Sequence, residues 1–286
     1  MMGTFVEVIS TDKKAHPIAF AEISRIEKLL SKYDLKSEVS RLNQYGKLRV
    51  SEDTLFLFEK SYEFWQSSLG AFDVSVGPLM DVWGFTGKEY IMPKDAIIKS
   101  ALRMVGMDKV VIMDKDSTVE FKVHGMKIDL GAIAKGYAVD CAIKKLKRAG
   151  VRNCLINAGG DIYCLGYKRE GTRLGPWQLI KPESWQVAIK NPSLGSPAEY
   201  LKLHDQAVAT SGSYEQCFSY KKRKFTHIFD PKTGYPVSSG LLSVTVVAGD
   251  CLTADALATA IFVLGKEKGR KLADNFPGVI LRFIEA

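Results

Sequence analysis

The sequence predicts an α+β protein in which helices are interleaved with largely antiparallel sheets, and three observations carry that reading. Candidate strands fall in neighbouring pairs, residues 109–113 with 118–123 and 154–157 with 161–166, and the second pair turns on Gly159-Gly160. A long amphipathic segment, residues 131–148, separates the pairs. No G-x-G-x-x-G, no P-loop and no G-x-S-x-G element is present, which argues against a Rossmann, P-loop or serine hydrolase protein. Strand pairs alternating with helices suit antiparallel sheets covered by helices.

Taken in order, the alternation Phe5-Val6-Glu7-Val8-Ile9 reads as the first strand. Residues 17–35 follow as a helix started by Pro17, with Ile23, Ile26, Leu29 and Leu30 on one face. A second helix spans 51–69, and its stripe of Phe56, Phe58, Tyr62 and Trp65 is explained by core packing rather than by a cofactor. A short helix is expected to start at Pro78. The last third supplies strands at 186–190, 199–204, 243–248 and 279–283, with a helix between the last two. Nothing marks a linker, so residues 1–286 are expected to form one unit, of one domain or two interleaved subdomains.

Hydrophobic content of 46% and charged content of 25% over 286 residues are globular values that leave no disordered or repetitive tract. A net charge of +8 favours an anionic ligand or surface. Two basic clusters, Lys144-Lys145-Leu146-Lys147-Arg148 and Lys221-Lys222-Arg223-Lys224, read as the end of a helix and the tip of a hairpin, so no nucleic-acid partner is expected. No apolar run has transmembrane length and no charged and apolar leader opens the chain, which as given is expected to be soluble. Five cysteines without a Cys-x-x-Cys pair indicate neither a disulfide framework nor a zinc site, and Cys141 and Cys251 read as core fillers.

Chemistry concentrates in a few segments. In residues 252–260, Asp255 and Thr259 lie four apart in a small-residue helix, so a carboxylate and a hydroxyl share one face. That is half of a magnesium site, since this ion takes oxygen ligands and keeps places open for substrate phosphates. The structural alternative has Thr253 capping the helix, Asp255 in its first turn and Thr259 bonded back to a carbonyl. In residues 70–79, Asp73 sits in a small-residue turn before Pro78. In residues 127–137, Asp129 ends a strand before a glycine turn into a helix, where it either caps that helix or meets a phosphate and its metal. Residues 210–214 read as a hydroxyl-rich loop that either bonds phosphate oxygens or simply turns the chain. In residues 226–236, His227 precedes an Asp-Pro-x-Thr-Gly turn, either as a structural imidazole or as a proton acceptor beside a phosphate.

Together these segments, with Met2-Gly3-Thr4-Phe5 and Asn157-Ala158-Gly159-Gly160-Asp161, closely resemble the ApbE family of FAD:protein FMN transferases, in the family's order and over nearly the whole chain. The resemblance implies an ApbE-like fold around a cleft for FAD, with contacts from Met2, Ala71, Phe72, Asp73, Asp129, Lys135 and Phe229. It implies a magnesium ion held by the carbonyls of Ala132 and Ala258 with Asp255 and Thr259. The implied reaction moves FMN from FAD to a threonine or serine hydroxyl of an acceptor flavoprotein and releases AMP, with His227 assisting deprotonation of that hydroxyl. Two alternatives accompany it: a magnesium-dependent FAD diphosphatase giving FMN and AMP, and a flavin-binding protein without turnover. Members of the family are often exported or membrane-anchored, and this sequence assigns no location.

Overall fold

The computed structural model describes residues 1–169, 171–173, 179–221 and 223–285. Its centre is a six-stranded sheet in the spatial order Val6–Ile9, Cys154–Ala158, Asp161–Leu165, Gln206–Gly212, Leu241–Ala248 and Ile280–Glu285, and every neighbouring pair is antiparallel. The expected Gly159-Gly160 turn joins the second and third strands, with Ala158 opposite Asp161 and both glycines at positive φ. A three-stranded sheet orders Lys47–Arg49, Thr118–Phe121 and Val110–Met113. Separate hairpins pair Trp185–Lys190 with Pro197–Leu203 and Cys217–Tyr220 with Arg223–Thr226.

Both faces of the central sheet are covered, as strand alternation requires. Ala207 and Ala209 face the main core, whereas Val208 between them joins Val187, Ile189 and Leu201 of the 185–203 hairpin. The main core also takes helix α1 (Ala15–Leu30), helix α3 (Glu52–Ser67), helix α6 (Ala134–Arg148) and helix α7 (Cys251–Leu264). Helix α7 is apolar nearly all round and is buried nearly all round. Helix α4 (Gly77–Val82), which carries Pro78 in its first turn, packs near helix α5 (Asp95–Leu102).

Several expectations need correction. Helix α1 begins at Ala15, so Pro17 lies inside its first turn, and it ends at Leu30 because the Ser31 hydroxyl accepts the amides of Tyr33 and Asp34 and the chain turns extended. Leu35 is exposed beyond it. Helix α2 (Glu38–Tyr45), helix α5 and helix α8 (Lys266–Ala273) were not anticipated. Residues Thr210, Ser211 and Gly212 belong to a central strand rather than a loop, and the Thr210 and Thr245 hydroxyls bond across it at 2.8 Å. The hairpin tip at Lys221 is as expected, while Lys222 lies outside the described residues. Cys251 is fully buried and Cys141 only partly so, and both are free. Among the described residues no helix is long and apolar enough to cross a membrane.

Candidate active site

The site grows from a close contact between α6 and the start of α7. A Cβ on Gly136 would lie 2.4 Å from the Cys251 carbonyl oxygen, so only glycine lets the two backbones meet. One turn further along α6, Asp140 accepts the amides of Cys251 and Leu252, both at 2.8 Å. The side chain of Asp250 accepts the amide of Thr253 at 2.8 Å. These carboxylates satisfy three of the amides that a helix start leaves free. The cap of α7 is therefore Asp250, not Thr253, and Asp255 lies beyond the first turn, facing α6.

That geometry buries Asp255, 4% exposed, against a cation. Lys135 Nζ lies 3.3 Å from Asp255 Oδ2 and 2.8 Å from Oδ2 of Asp161, the residue just after the Gly159-Gly160 turn. The Gly136 amide donates to Asp255 at 3.3 Å, and Lys135 also donates to the Gly131 carbonyl at 3.0 Å. Burial pushes the Asp161 carboxyl above the ordinary carboxylate range, with the Asp255 charge adding to the rise and Lys135 opposing it. Burial works against the Lys135 ammonium, yet Asp161 and Asp255 hold its pKa above the ordinary lysine value. One turn beyond Asp255, Thr259 Oγ1 lies 3.1 Å from Ser211 Oγ at the end of its strand.

The second wall is the segment leading into α6. Asn43 clamps it, accepting the Ile128 amide at 2.7 Å and donating to the Ile128 carbonyl at 2.9 Å. Gly77 lets the chain pass close to Lys127, where a Cβ would meet backbone at 2.6 Å. Asp129 accepts Lys32 Nζ at 2.6 Å and the Gly131 amide at 2.9 Å. Burial raises its carboxyl, but the Lys32 charge wins and the net pKa is lowered. The cap position of α6 is Ile133 and makes no side-chain cap bond, so Asp129 is not a helix cap. A cavity of about 350 Å³ opens beside this segment, lined among others by Lys32, Asn43, Gln44, Lys127 and Ile128.

His227 belongs to the same electrostatic neighbourhood. Burial lowers its pKa, the Asp129 charge opposes that, and Lys135 and Lys32 add to it. Its Nδ1 lies 3.1 Å from the Gln216 carbonyl, which also accepts the His227 amide at 3.0 Å. A carbonyl can only accept, so Nδ1 carries the proton and Nε2 is left as an acceptor.

Other expected residues lie elsewhere. Asp73 is buried and accepts the Ser75 amide at 2.8 Å and hydroxyl at 2.5 Å, while burial pushes its carboxyl up to about 6. Phe72 is buried against Phe64, and Ala71 is buried beside it. This loop meets the site through its backbone, since the Asp129 amide donates to the Val74 carbonyl at 2.7 Å. Phe229 is buried among rings, 6.0 Å from Trp83 and 5.7 Å from Phe85. Met2 is partly buried with φ of 53°. Ala132 is partly buried and Ala258 fully buried.

Among the described residues no three His, Cys, Asp or Glu side chains form a metal cluster. The expected donor set contains one carboxylate, one hydroxyl and two carbonyls, all oxygen, and so does not require such a cluster. Asp255 and Thr259 offer oxygen donors one turn apart on α7 and in that respect fit a hard divalent ion, while the Asp255 carboxylate holds Lys135 in this structure. Lys32 is not singled out by the sequence, and Asp161 and Ser211 enter there only as members of longer motifs without a role of their own. Asp161 carries a signal there, an acid directly after a tight glycine turn, whereas Lys32 is 97 residues from its partner Asp129 and carries none.

Comparison with protein families matches residues 2–283 to the ApbE family. An FAD:protein FMN transferase of Vibrio cholerae is 32% identical over 259 residues, covering 88% of this chain and 74% of its own. One from Treponema pallidum is 34% identical over 301 aligned residues, covering 99% and 82%. Among solved structures, the ApbE protein of Thermotoga maritima is similar with a TM-score of 0.85 at 36% identity, covering 99% of this chain and 92% of its own. The flavin transferase ApbE of Vibrio cholerae follows with 0.84 at 29% identity, covering 100% and 91%. The motifs, the fold and these matches run together along the whole length, and the chain belongs to the ApbE family.

Proposed function

We propose that this enzyme transfers FMN from FAD to a threonine or serine hydroxyl of an acceptor flavoprotein and releases AMP. The observation that carries the reading is the convergence at the α6 start, where Lys135 meets buried Asp161 and Asp255 and where His227 lies within reach of the charges on Lys135, Asp129 and Lys32. The relatives named FAD:protein FMN transferase support it. In the reaction the acceptor oxygen bonds to the FMN-side phosphorus as the bond to the AMP oxygen breaks. Nε2 of His227, neutral and free to accept, takes the hydroxyl proton. Lys32 and Lys135 offset phosphate charge, and the buried surroundings make that offset stronger than in water. Magnesium held by Asp255, Thr259 and the carbonyls of Ala132 and Ala258 would supply polarisation of the diphosphate and stabilise the departing AMP. Met2, Ala71, Phe72, Asp73, Asp129 and Phe229 are proposed to border the FAD site; Ala71, Phe72 and Phe229, being buried, would contribute backbone and shape more than exposed side-chain contact.

Incubation with FAD, Mg2+ and a candidate flavoprotein, read by in-gel flavin fluorescence, intact mass and AMP release, tests the proposal. Flavin attached to the acceptor with stoichiometric AMP is expected. AMP without attachment identifies an FAD diphosphatase, and bound FAD without AMP identifies a carrier.

A further inference from the structure

The α6–α7 junction buries more negative charge than the proposed metal ligands account for. Those ligands include one carboxylate, Asp255 on α7, yet Asp161, 2% exposed, is brought to the same ammonium from the start of a central strand. Two carboxylates buried together ionise only with a cation between them. Here the cation is the chain's own. Lys135 Nζ touches both, at 2.8 and 3.3 Å, and its contact with Asp161 is bent out of hydrogen-bond geometry, so Asp161 Oδ2 is buried without a directed donor. Glu215 is the further acid whose charge bears on Asp161, and Asp255 and Lys135 bear on Glu215 in turn. The backbone beside Lys135 is pinned by the Gly136 contact, while its side chain is long and unbranched and can move without it.

We propose that Asp161 and Asp255 form a single cation site for which Lys135 and the divalent ion compete, Lys135 holding the carboxylates together until the metal displaces it. The inference rests on the proposed metal role of Asp255. The ammonium must give up two buried partners to leave, so metal alone binds weakly to the protein. A bound diphosphate offers Lys135 a new anionic partner and favours the exchange, so that FAD and metal strengthen each other's binding.

The test uses the full chain without FAD. Mg2+ is titrated by calorimetry into the wild type, Lys135→Met and Lys135→Gln, and each protein is melted in chelator and in excess Mg2+. Both variants are expected to bind Mg2+ at least about tenfold more tightly than wild type, because no ammonium has to be displaced. They should also melt below wild type in chelator and recover in excess Mg2+. Adding Asp161→Asn to Lys135→Gln should weaken Mg2+ binding again. A variant that folds only with Mg2+ supports the competition, and one that Mg2+ does not rescue overturns it. Equal or weaker Mg2+ binding in both Lys135 variants also overturns it. Asp255→Ala, titrated with FAD present, separates the two readings: loss of Mg2+ binding leaves the metal role standing whatever Lys135 does, and undiminished binding removes that role itself.

Discussion

The α6–α7 junction and the aromatic wall around Trp83 are built by opposite means. At the junction, Lys135, Asp161 and Asp255 are held within contact by backbone meeting backbone at Gly136 and by Asp140 gripping the start of α7. At the wall, Trp83 lies 5.6 Å from Phe225, 6.0 Å from Phe229 and 6.5 Å from Phe218, and its indole donates to the Gly234 carbonyl at 3.0 Å. Dispersion is spread over many atom pairs, so a lost ring costs stability in proportion to the void it leaves. Charge in a buried cluster is not spread: removing the one ammonium leaves two carboxylates uncompensated, whereas removing one carboxylate leaves the other its partner. The wall should therefore answer substitution with graded loss of stability, and the junction with loss of chemistry.

Asp255→Ala is the sharpest way to break the contrast. FMN transfer should fall below detection, while the melting temperature changes little because Lys135 keeps Asp161 as a partner and the helix loses no apolar packing. AMP release and thermal melts measure the two sides. Turnover at the wild-type rate in excess Mg2+ would make Asp255 a structural residue.

His227→Ala should come next, with a loss of about 10²- to 10⁴-fold in single-turnover transfer at saturating FAD and acceptor. FAD affinity should be unchanged. The wild-type rate should drop as pH falls through the lowered His227 pKa, because protonation removes the Nε2 acceptor, and the variant should lose that limb. A variant with the wild-type rate across the range would reduce the imidazole to its bond with Gln216.

On the wall, Trp83→Ala should cost about 3–5 kcal/mol of stability, the range for a large buried aromatic. Part of that cost is the Gly234 carbonyl left without its donor. Urea unfolding reads the loss, and transfer per folded molecule should fall far less than for Asp255→Ala. Equal losses of activity in both variants would erase the distinction between the regions.

The two regions also differ in how far the sequence discloses them. Period-two alternation and the Gly159-Gly160 turn expose most central strands, and the small-residue run of α7 with Asp255 and Thr259 exposes a chemical face. The chain direction of Thr210-Ser211-Gly212 is hidden, because short polar side chains in a buried strand look like those of a loop until α7 covers them. Helices α2, α5 and α8 are too short for an apolar period to stand out. Asp129 and Asp255 can be picked out as acids in unusual surroundings. Their pairing with cations cannot, because Lys32 looks like any other basic residue and Lys135 stands out only through the family motif, with 97 residues of chain between one ion pair and 120 between the other.

The smallest effect concerns the grip that sets the junction. Burial pushes the Asp140 carboxyl up to about 7 despite the amides of Cys251 and Leu252 that it accepts. Its ordinary value in the unfolded chain is about 3.9, so the folded protein binds the proton more tightly. The contribution of this group to stability is then fullest below about pH 4, is lost progressively as pH rises to about 7, and is level above that. Asparagine at this position cannot ionise, and it offers one oxygen to two amides, so Asp140→Asn should carry a pH-independent cost of about 1–3 kcal/mol. It should also show a flatter fall in stability between pH 4 and 7 than the wild type. Buried Asp73, raised to about 6, remains in both proteins and cancels in the difference. Urea unfolding across that range yields the two slopes, and parallel curves would show that Asp140 keeps its charge throughout and grips α7 as a plain carboxylate.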